Sequence, residues 1–451
     1  MKNLYIGNER VAKIIEKKNI NKEALFKLTI FSFFYTTQNE ILVLNVLSGA
    51  VYKLTENEYI ALLKLKDIEV DYKYIDDNGL IELVHSRIIV ENNYKDNNKY
   101  LDIIKMLKIM EGKKAGIRKY TILPTTFCNA RCVYCYEQNY VHNSMSEKTA
   151  ERLVKYIEDT KNSGSVRLAW FGGEPLVGHK IISQICRSLK DNNIEFKSEM
   201  ISNGALFSKE IVKEALENWN LKSVQISLDG EKSDYENRKH FINPNRDNYE
   251  SVMNNILTLA ENGVKVVLRS NFDNDNIDSL KDLIDDLSIR FVGLDNIKIY
   301  FHTLYQLYES EEYENQLQKI KQIYDYAKKK KMKVVCSNPS GLKLHLCMAD
   351  DNGRSVVISP EGKIFSCEHM PENKTWGNIF NGITDQEEYE KYKEVSAIDK
   401  ECEKCCFLPF CTSFYKKGCP NSHNSCYLAR KFDVERQLDN LIDDLKEKGE
   451  L

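Results

Sequence analysis

Cysteine placement constrains this chain more than any other feature of its sequence. There are 13 cysteines in 451 residues, and they are clumped. Cys128, Cys132 and Cys135 form one knot, Cys347 through Cys426 hold eight more, and Cys186 and Cys336 stand apart. The number is odd, and Met1 to Ile20 contains no apolar signal-peptide core. A disulfide framework of the kind that staples secreted domains is therefore not expected. Clustered reduced thiols point instead to metal ligation in a cytoplasmic protein.

The rest of the composition is that of a globular chain. Hydrophobic residues make up 42% and charged residues 29%, enough to build a sizeable core and unlike a disordered chain. Lys and Arg number 64 against 67 Asp and Glu, a net charge of −3. Such a balance gives no electrostatic reason to expect nucleic acid or an anionic membrane as partner. No apolar run approaches the ~20 residues of a membrane helix; the nearest, Leu25 to Tyr35, is interrupted by Lys27.

Pattern divides the chain into residues 1–110, 111–333, 334–428 and 429–451. In the first part, the apolar run after Glu40 and the run Val51 to Leu54 flank Ser48-Gly49-Ala50, which reads as two strands and a turn. Thr55-x-x-Glu58 is a capping box opening a helix through Leu65. A winged-helix-like module is expected, followed by an amphipathic connector near Leu101 to Met110. In the second part, strand candidates at 120–124, 166–171, 194–201, 223–228, 264–271 and 297–302 alternate with helical patterns at 146–160, 181–191, 209–218, 248–262 and 278–290. Six strands in βα alternation predict an α/β fold with a parallel sheet, open or curled into a partial barrel. The third part holds short strands, turns and cysteines around a core too thin to stand without metal or packing support. The fourth reads as a charged helix.

Cys128-x3-Cys132-x2-Cys135 directly follows the strand ending Leu123-Pro124-Thr125. Three thiolates on one short loop can ligate three irons of a [4Fe–4S] cube and leave the fourth iron open to a ligand. Zinc is the competing occupant, but it would require a fourth ligand and more usually begins with C-x2-C. The spacing, Tyr134 before the third cysteine, and the strand-end position resemble the radical S-adenosylmethionine (SAM) superfamily. Gly172-Gly173-Glu174-Pro175 at the second strand end resembles that family's GGEP motif. Its glycines permit close backbone approach, and Glu174 can accept from the methionine amino group. The resemblance extends to Ser202 and Asn203 after the third strand and to Gln225, Ser227 and Asp229 at the fourth, positions that in the family contact the ribose and methionine portions of SAM. Arg238 matches an arginine that pairs with the methionine carboxylate. Ligands at the carboxyl ends of parallel strands are the general rule for such sheets.

The later cysteines, with Gly362 five residues before Cys367 and Trp376-Gly-Asn-Ile between the halves, resemble the SPASM extension of radical SAM enzymes. The resemblance implies two auxiliary [4Fe–4S] clusters, three clusters in all. It assigns Cys402, Cys405, Cys411 and Cys426 to the outer one and Cys347, Cys367 and Cys419 to the inner one. Two departures stand out. Seven residues separate Cys411 from Cys419 where two are usual, and no cysteine follows shortly after Cys347. The inner cluster then either has an open iron for a substrate thiolate or takes Cys336, Cys406 or an oxygen such as that of Asp350. A zinc ribbon on Cys402-x2-Cys405 is the competing reading. Cys186, in a helical apolar pattern, is a buried small hydrophobe. Glu368, just after Cys367, stands where some relatives place an acid near the substrate; it is either a base or a surface glutamate.

The first hundred residues, through Leu42 to Leu54, resemble the peptide-recognition element of ribosomal-peptide maturases. Such a module can accept a leader peptide as an added strand. A generic or DNA-binding winged helix is the alternative, and the lone basic residue there, Lys53, supports phosphate binding poorly. Taken together, the resemblance implies a radical SAM oxidoreductase fed by a reductant such as flavodoxin or ferredoxin. It would use a 5′-deoxyadenosyl radical to form thioethers within a Cys-containing ribosomal precursor peptide, most like sactipeptide and ranthipeptide maturases. The rivals are an anaerobic sulfatase-maturating, formylglycine-generating enzyme, a carbon–carbon crosslinking peptide maturase, and a zinc-stabilised binding scaffold.

Overall fold

The computed structural model describes residues 1–111, 116–138, 140–243, 247–304, 312–342, 344, 353–368, 375–393, 398, 400, 402–411 and 426–451. The chain forms two compact units that interleave along the sequence. One comprises residues 114–335 and 347–394, the other residues 1–113, 336–346 and 395–451.

The first unit is built on six parallel strands: β1 (Lys119–Thr125), β2 (Val166–Gly172), β3 (Phe196–Ser202), β4 (Leu221–Ser227), β5 (Lys265–Phe272) and β6 (Ile297–Thr303). Four short strands extend the sheet: β7 (Ser355–Ile358), β8 (Lys363–Phe365), β9 (Gly377–Asn378) and β10 (Gly382–Ile383). The order across it is β6-β5-β4-β3-β2-β1-β7-β8-β9-β10, so β6 does not return to β1 and the barrel stays open. β7 runs parallel to β1, with Ser355 opposite Lys119 and Ile358 opposite Ile122, and β8 turns back antiparallel. Parallel strands must be covered on both faces. The helices α1 (Glu147–Thr160), α2 (His179–Asp191), α3 (Lys209–Glu217), α4 (Lys232–Lys239), α5 (Asn248–Glu261), α6 (Leu280–Arg290) and α7 (Tyr313–Lys329) belong to the same unit. Each start is chemically marked where a short polar side chain caps it: Ser146 for α1, Ser208 for α3 and Asp247 for α5.

The six expected strands and five expected helices are present, with their ends shifted by one or two residues. Ile194, expected in β3, instead closes α2: Asn193 takes a positive φ of 56° and the Ile194 N–H bonds the Leu189 carbonyl at 2.9 Å. The sequence reading missed α4. Its segment is so polar that only Tyr235 faces inward as an apolar residue, leaving no periodic stripe to detect.

In the second unit, strands Lys2–Ile6, Ala50–Lys53, Ile41–Asn45 and Ser32–Thr36 form an antiparallel sheet in that order. The helix Glu56–Lys64 opens with both halves of the capping box, Thr55 and Glu58 bonding each other's backbone N–H. The connector is a longer helix than expected, Asp96–Glu111, and the final helix runs Cys426–Glu447. One apolar cluster explains why distant segments share this unit. Phe33, Leu42, Leu44 and Val51 of the sheet pack with Ile104 and Leu107 of the connector and with Val434, Leu438, Leu441 and Leu445 of the final helix. Among the described residues, no helix is long and apolar enough to cross a membrane.

Leu438 is fully buried in that cluster. We expect Leu438→Ala to lower stability by roughly 2–5 kcal/mol in urea unfolding, where an appended surface helix would lose well under 1 kcal/mol.

Candidate functional site

The loop after β1 carries the three cysteines, and the backbone fixes it from two sides. Arg131 N–H bonds the Lys239 carbonyl and Val133 N–H the Arg238 carbonyl, both at 3.0 Å, while Ile242 N–H bonds the Asn129 carbonyl at 2.9 Å. From the other side comes the turn after β2. Gly173 N–H bonds the Thr125 carbonyl at 3.3 Å and Glu174 N–H the Phe127 carbonyl at 3.0 Å. A Cβ on Gly172 would lie 2.4 Å from the Thr125 oxygen, and one on Gly173 would lie 2.5 Å from the Phe127 oxygen. Gly172 also has a φ of +112°, which side chains rarely adopt. The two glycines are thus required for the cysteine loop to sit where it does.

Glu174 stands behind this contact with no solvent exposure. Its carboxylate accepts from Ser202 Oγ at 2.8 Å, Asn203 N at 2.8 Å and Leu176 N at 3.1 Å. Burial pushes its pKa up to about 7 against the pull of those hydrogen bonds. It ties the ends of β2 and β3 together and caps the turn Pro175–Gly178, which Pro175 opens. Asn203 in turn reaches the loop: its Nδ2 donates to Asn129 Oδ1 at 2.7 Å and lies 3.9 Å from Cys128 Sγ.

At the ends of β4 and β5 lies a buried charged network. Lys239 Nζ donates to Tyr134 Oη at 2.7 Å and Ser227 Oγ at 2.8 Å, and pairs with Asp229 at 2.8 Å. Asp229 also accepts from Asn271 N at 2.8 Å and from the Tyr134 hydroxyl. Burial opposes both charges. The Lys239 ammonium nevertheless holds the Asp229 carboxyl below its ordinary range, and Asp229 holds Lys239 well above its own. Arg238 forks onto Asp273 at 3.0 and 2.7 Å. Its buried Nε has no acceptor among the described residues.

These elements surround a cavity of about 270 Å³. Among the residues singled out from sequence, Cys128, Cys132, Cys135, Tyr134, Gly172, Gly173, Ser202, Asn203, Gln225, Ser227 and Glu368 line it. Glu174, Pro175, Asp229 and Arg238 are not among the residues that line it. Glu368 is within 3.8 Å of Cys367 Sγ and faces Glu137, whose pKa is pushed up to about 7 by burial and then by the Glu368 charge. A second cavity of about 260 Å³ shares Phe171, Ile201, Gln225 and Glu368 with the first and reaches Lys119 and Thr121 on β1. Sequence reasoning missed Lys239, Asn271, Arg269 and Glu137. Lys239 was detectable as the neighbour of Arg238, whereas nothing in the sequence marks the other three.

The outlying cysteines divide between the units. Cys402, Cys405, Cys411 and Cys426 fall in the N-terminal unit, where burial raises the Cys405 thiol and the charges of Cys411 and Cys426 raise it further. Cys406 beside them is pushed up to about 12 by burial. Cys336 lies 3.5 Å from the Arg436 carbonyl, and Cys186 is fully buried as expected. Cys347, Cys419 and Asp350 lie outside the described residues.

The loop's donor set suits a cluster better than a single ion. Cys128, Cys132 and Cys135 line one cavity from a single short loop, and a cube takes each thiolate at a different corner. The Ala130 N–H, 3.4 Å from Cys128 Sγ, supplies the hydrogen bond such thiolates accept. Arg238 Nε, a buried donor left over from the fork onto Asp273, is the kind of group a carboxylate ligand satisfies.

Comparison with known proteins places these observations. Residues 122–287 match the family model of the Radical SAM superfamily. The chain is 30% identical over 117 residues to the uncharacterized protein MJ0907 of Methanocaldococcus jannaschii, covering 26% of this chain and 40% of that protein. It is 32% identical over 179 residues to GTP 3′,8-cyclase of Clostridium perfringens, covering 38% and 53%. The chain thus spans about half or less of the length of these curated relatives. Among solved structures, native anSMEcpe with bound AdoMet is similar with a TM-score of 0.56 and 16% identity, covering 73% of this chain and 99% of that one. The same protein with AdoMet and a Cp18Cys peptide matches at 0.55. At that identity the likeness is one of fold. The stretch 122–287 is thus similar to the Radical SAM superfamily, and its cysteine loop opens on the cavity at the carboxyl ends of the open sheet.

Proposed function

We propose that the protein is a radical SAM peptide maturase that joins a cysteine sulfur to a carbon within a ribosomal precursor peptide. One observation carries the reading. Three thiolates, the glycine turn and the polar ends of β3, β4 and β5 line a single cavity, which shares Phe171, Ile201, Gln225 and Glu368 with a second one large enough for a substrate side chain. Bound here, a [4Fe–4S] cluster with SAM supplies the one-electron chemistry that removes a hydrogen atom from carbon. The chain's own residues bind and orient. Cys128, Cys132 and Cys135 hold the cluster. Ser202, Asn203, Gln225 and Ser227 offer hydrogen bonds to the ligand's sugar and amino acid portions, and Arg238 Nε offers one to its carboxylate. Ile201 and Phe171 wall the passage to the substrate.

A peptide substrate is supported by the fold likeness to anSMEcpe, solved with a peptide bound, and by the N-terminal sheet, whose terminal strands Lys2–Ile6 and Ser32–Thr36 can each take an added strand. Forming a carbon–sulfur bond from a thiol and a C–H group releases two electrons and two protons. One of each leaves with the abstracted hydrogen. The other electron needs an acceptor, which auxiliary clusters held by Cys402, Cys405, Cys411 and Cys426 and by Cys367 with Cys347 and Cys419 would supply, and Glu368 would take the thiol proton. Mass spectrometry of the treated peptide tests the product: loss of two hydrogens together with a thiol that no longer alkylates. A formylglycine product would overturn the thioether reading.

Two further outcomes are expected. Anaerobically reconstituted protein should carry about twelve irons per chain, falling to about eight in Cys128→Ala/Cys132→Ala/Cys135→Ala; iron content that ignores the triple variant would remove the cluster from this loop. Arg238→Lys should keep the charge opposite Asp273 but lose the guanidinium's extra donor. SAM affinity measured by equilibrium dialysis should then drop about tenfold, roughly 1.4 kcal/mol, with unfolding little changed.

A further inference from the structure

Lys239 does something that neither substrate binding nor cluster ligation uses. Its side chain is 1% exposed, and an ammonium has three donors, all committed here: to Asp229, Tyr134 and Ser227. It therefore cannot ligate iron, shuttle a proton or reach a substrate. Burying an ammonium costs several kcal/mol even when paired, and an apolar side chain of the same length would fill the space. What the fold retains is a charge in a defined place.

That place is asymmetric. Lys239 lines the cavity, whereas Asp229, 0% exposed, does not. Lys239 thus borders the same space as Cys128, Cys132 and Cys135, and its carboxylate partner does not. Its backbone is also stitched to the cysteine loop, because the Lys239 carbonyl accepts from Arg131 N–H at 3.0 Å and Ala130 bridges to Phe241. The charge and the thiolates consequently keep a fixed separation.

We propose that Lys239 is a positioning residue of an electrostatic kind: a locked counter-charge that raises the reduction potential of the cluster on Cys128, Cys132 and Cys135. The inference rests on the cluster reading above. A cube held by three thiolates is anionic and gains a further negative charge when reduced. A cation held nearby in a low-dielectric wall favours the reduced state, and net charge and burial are the levers by which proteins set such potentials.

The test is an EPR-monitored redox titration of the reconstituted full chain, following the signal that responds to added SAM, beside iron analysis. Lys239→Met should keep its iron while the midpoint falls by at least a tenfold step in the reduction equilibrium, about 59 mV for one electron. Lys239→Arg, which keeps the charge, should stay near wild type. Asp229→Asn/Lys239→Met removes the carboxylate that the single variant strands, and so stays folded if the single variant does not; it should also keep a lowered midpoint. An unchanged midpoint in Lys239→Met, or a wild-type midpoint in the double variant, overturns the proposal by showing that the pair acts as a neutral unit. Loss of the cluster reading is distinguishable, since it would show in the Cys128/Cys132/Cys135 iron analysis of otherwise wild-type protein.

Discussion

The site depends on two backbone segments coming closer than any side chain allows. The carbonyls of Thr125, Thr126 and Phe127 lie within 2.4 to 2.6 Å of where Cβ atoms of Gly172 and Gly173 would be. That approach turns the chain after β1 across the end of β2 and presents the cysteine loop at the mouth of the sheet. Glu174 then locks the arrangement from beneath by bonding the end of β3. Remove the close contact and the three thiols lose their common wall, however well the six strands are formed. The glycines therefore act on the chemistry through geometry alone.

Much of this was legible in the sequence because the signals were local. Strand-like apolar runs marked β1 to β6, helical patterns between them marked five of the helices, and Cys128-x3-Cys132-x2-Cys135 marked the loop. Burial was harder to read. Glu174 is fully buried and bonds Ser202 and Asn203 at the end of β3, a set of partners the sequence does not reveal. Asp229 is engaged with Lys239 and Arg238 with Asp273, partnerships that spacing alone does not announce. Spacing along a chain identifies which residues reach a strand end; it does not say which layer each occupies once neighbours compete for the same acceptors. Lys239 illustrates the limit. A lone lysine in a polar segment has no pattern, and its role emerges only when α4 brings it against Tyr134, Ser227 and Asp229.

Linear order was also a poor guide to compactness. The stretch 334–428 reads as one cysteine-rich segment, yet residues 347–394 join the sheet through β7 pairing with β1, while residues 395–451 complete the apolar core begun by residues 1–113. Cohesion follows buried area, and Phe407, Leu408 and Val434 find theirs beside Phe33 and Leu42. No local pattern announces such a long-range choice of partner.

The shared core of the N-terminal unit has a consequence for biosynthesis. Leu42, Leu44 and Val51 emerge from the ribosome early, but the apolar face that covers them, Val434 to Leu445, is made some 380 residues later. At about 5–20 residues per second, the sheet of this unit waits on the order of half a minute with an uncovered face. The six-stranded unit, whose contacts between successive strands are nearer in sequence, can fold in that interval. Chaperone dependence and aggregation during expression should therefore fall on the first hundred residues rather than on the six-stranded unit.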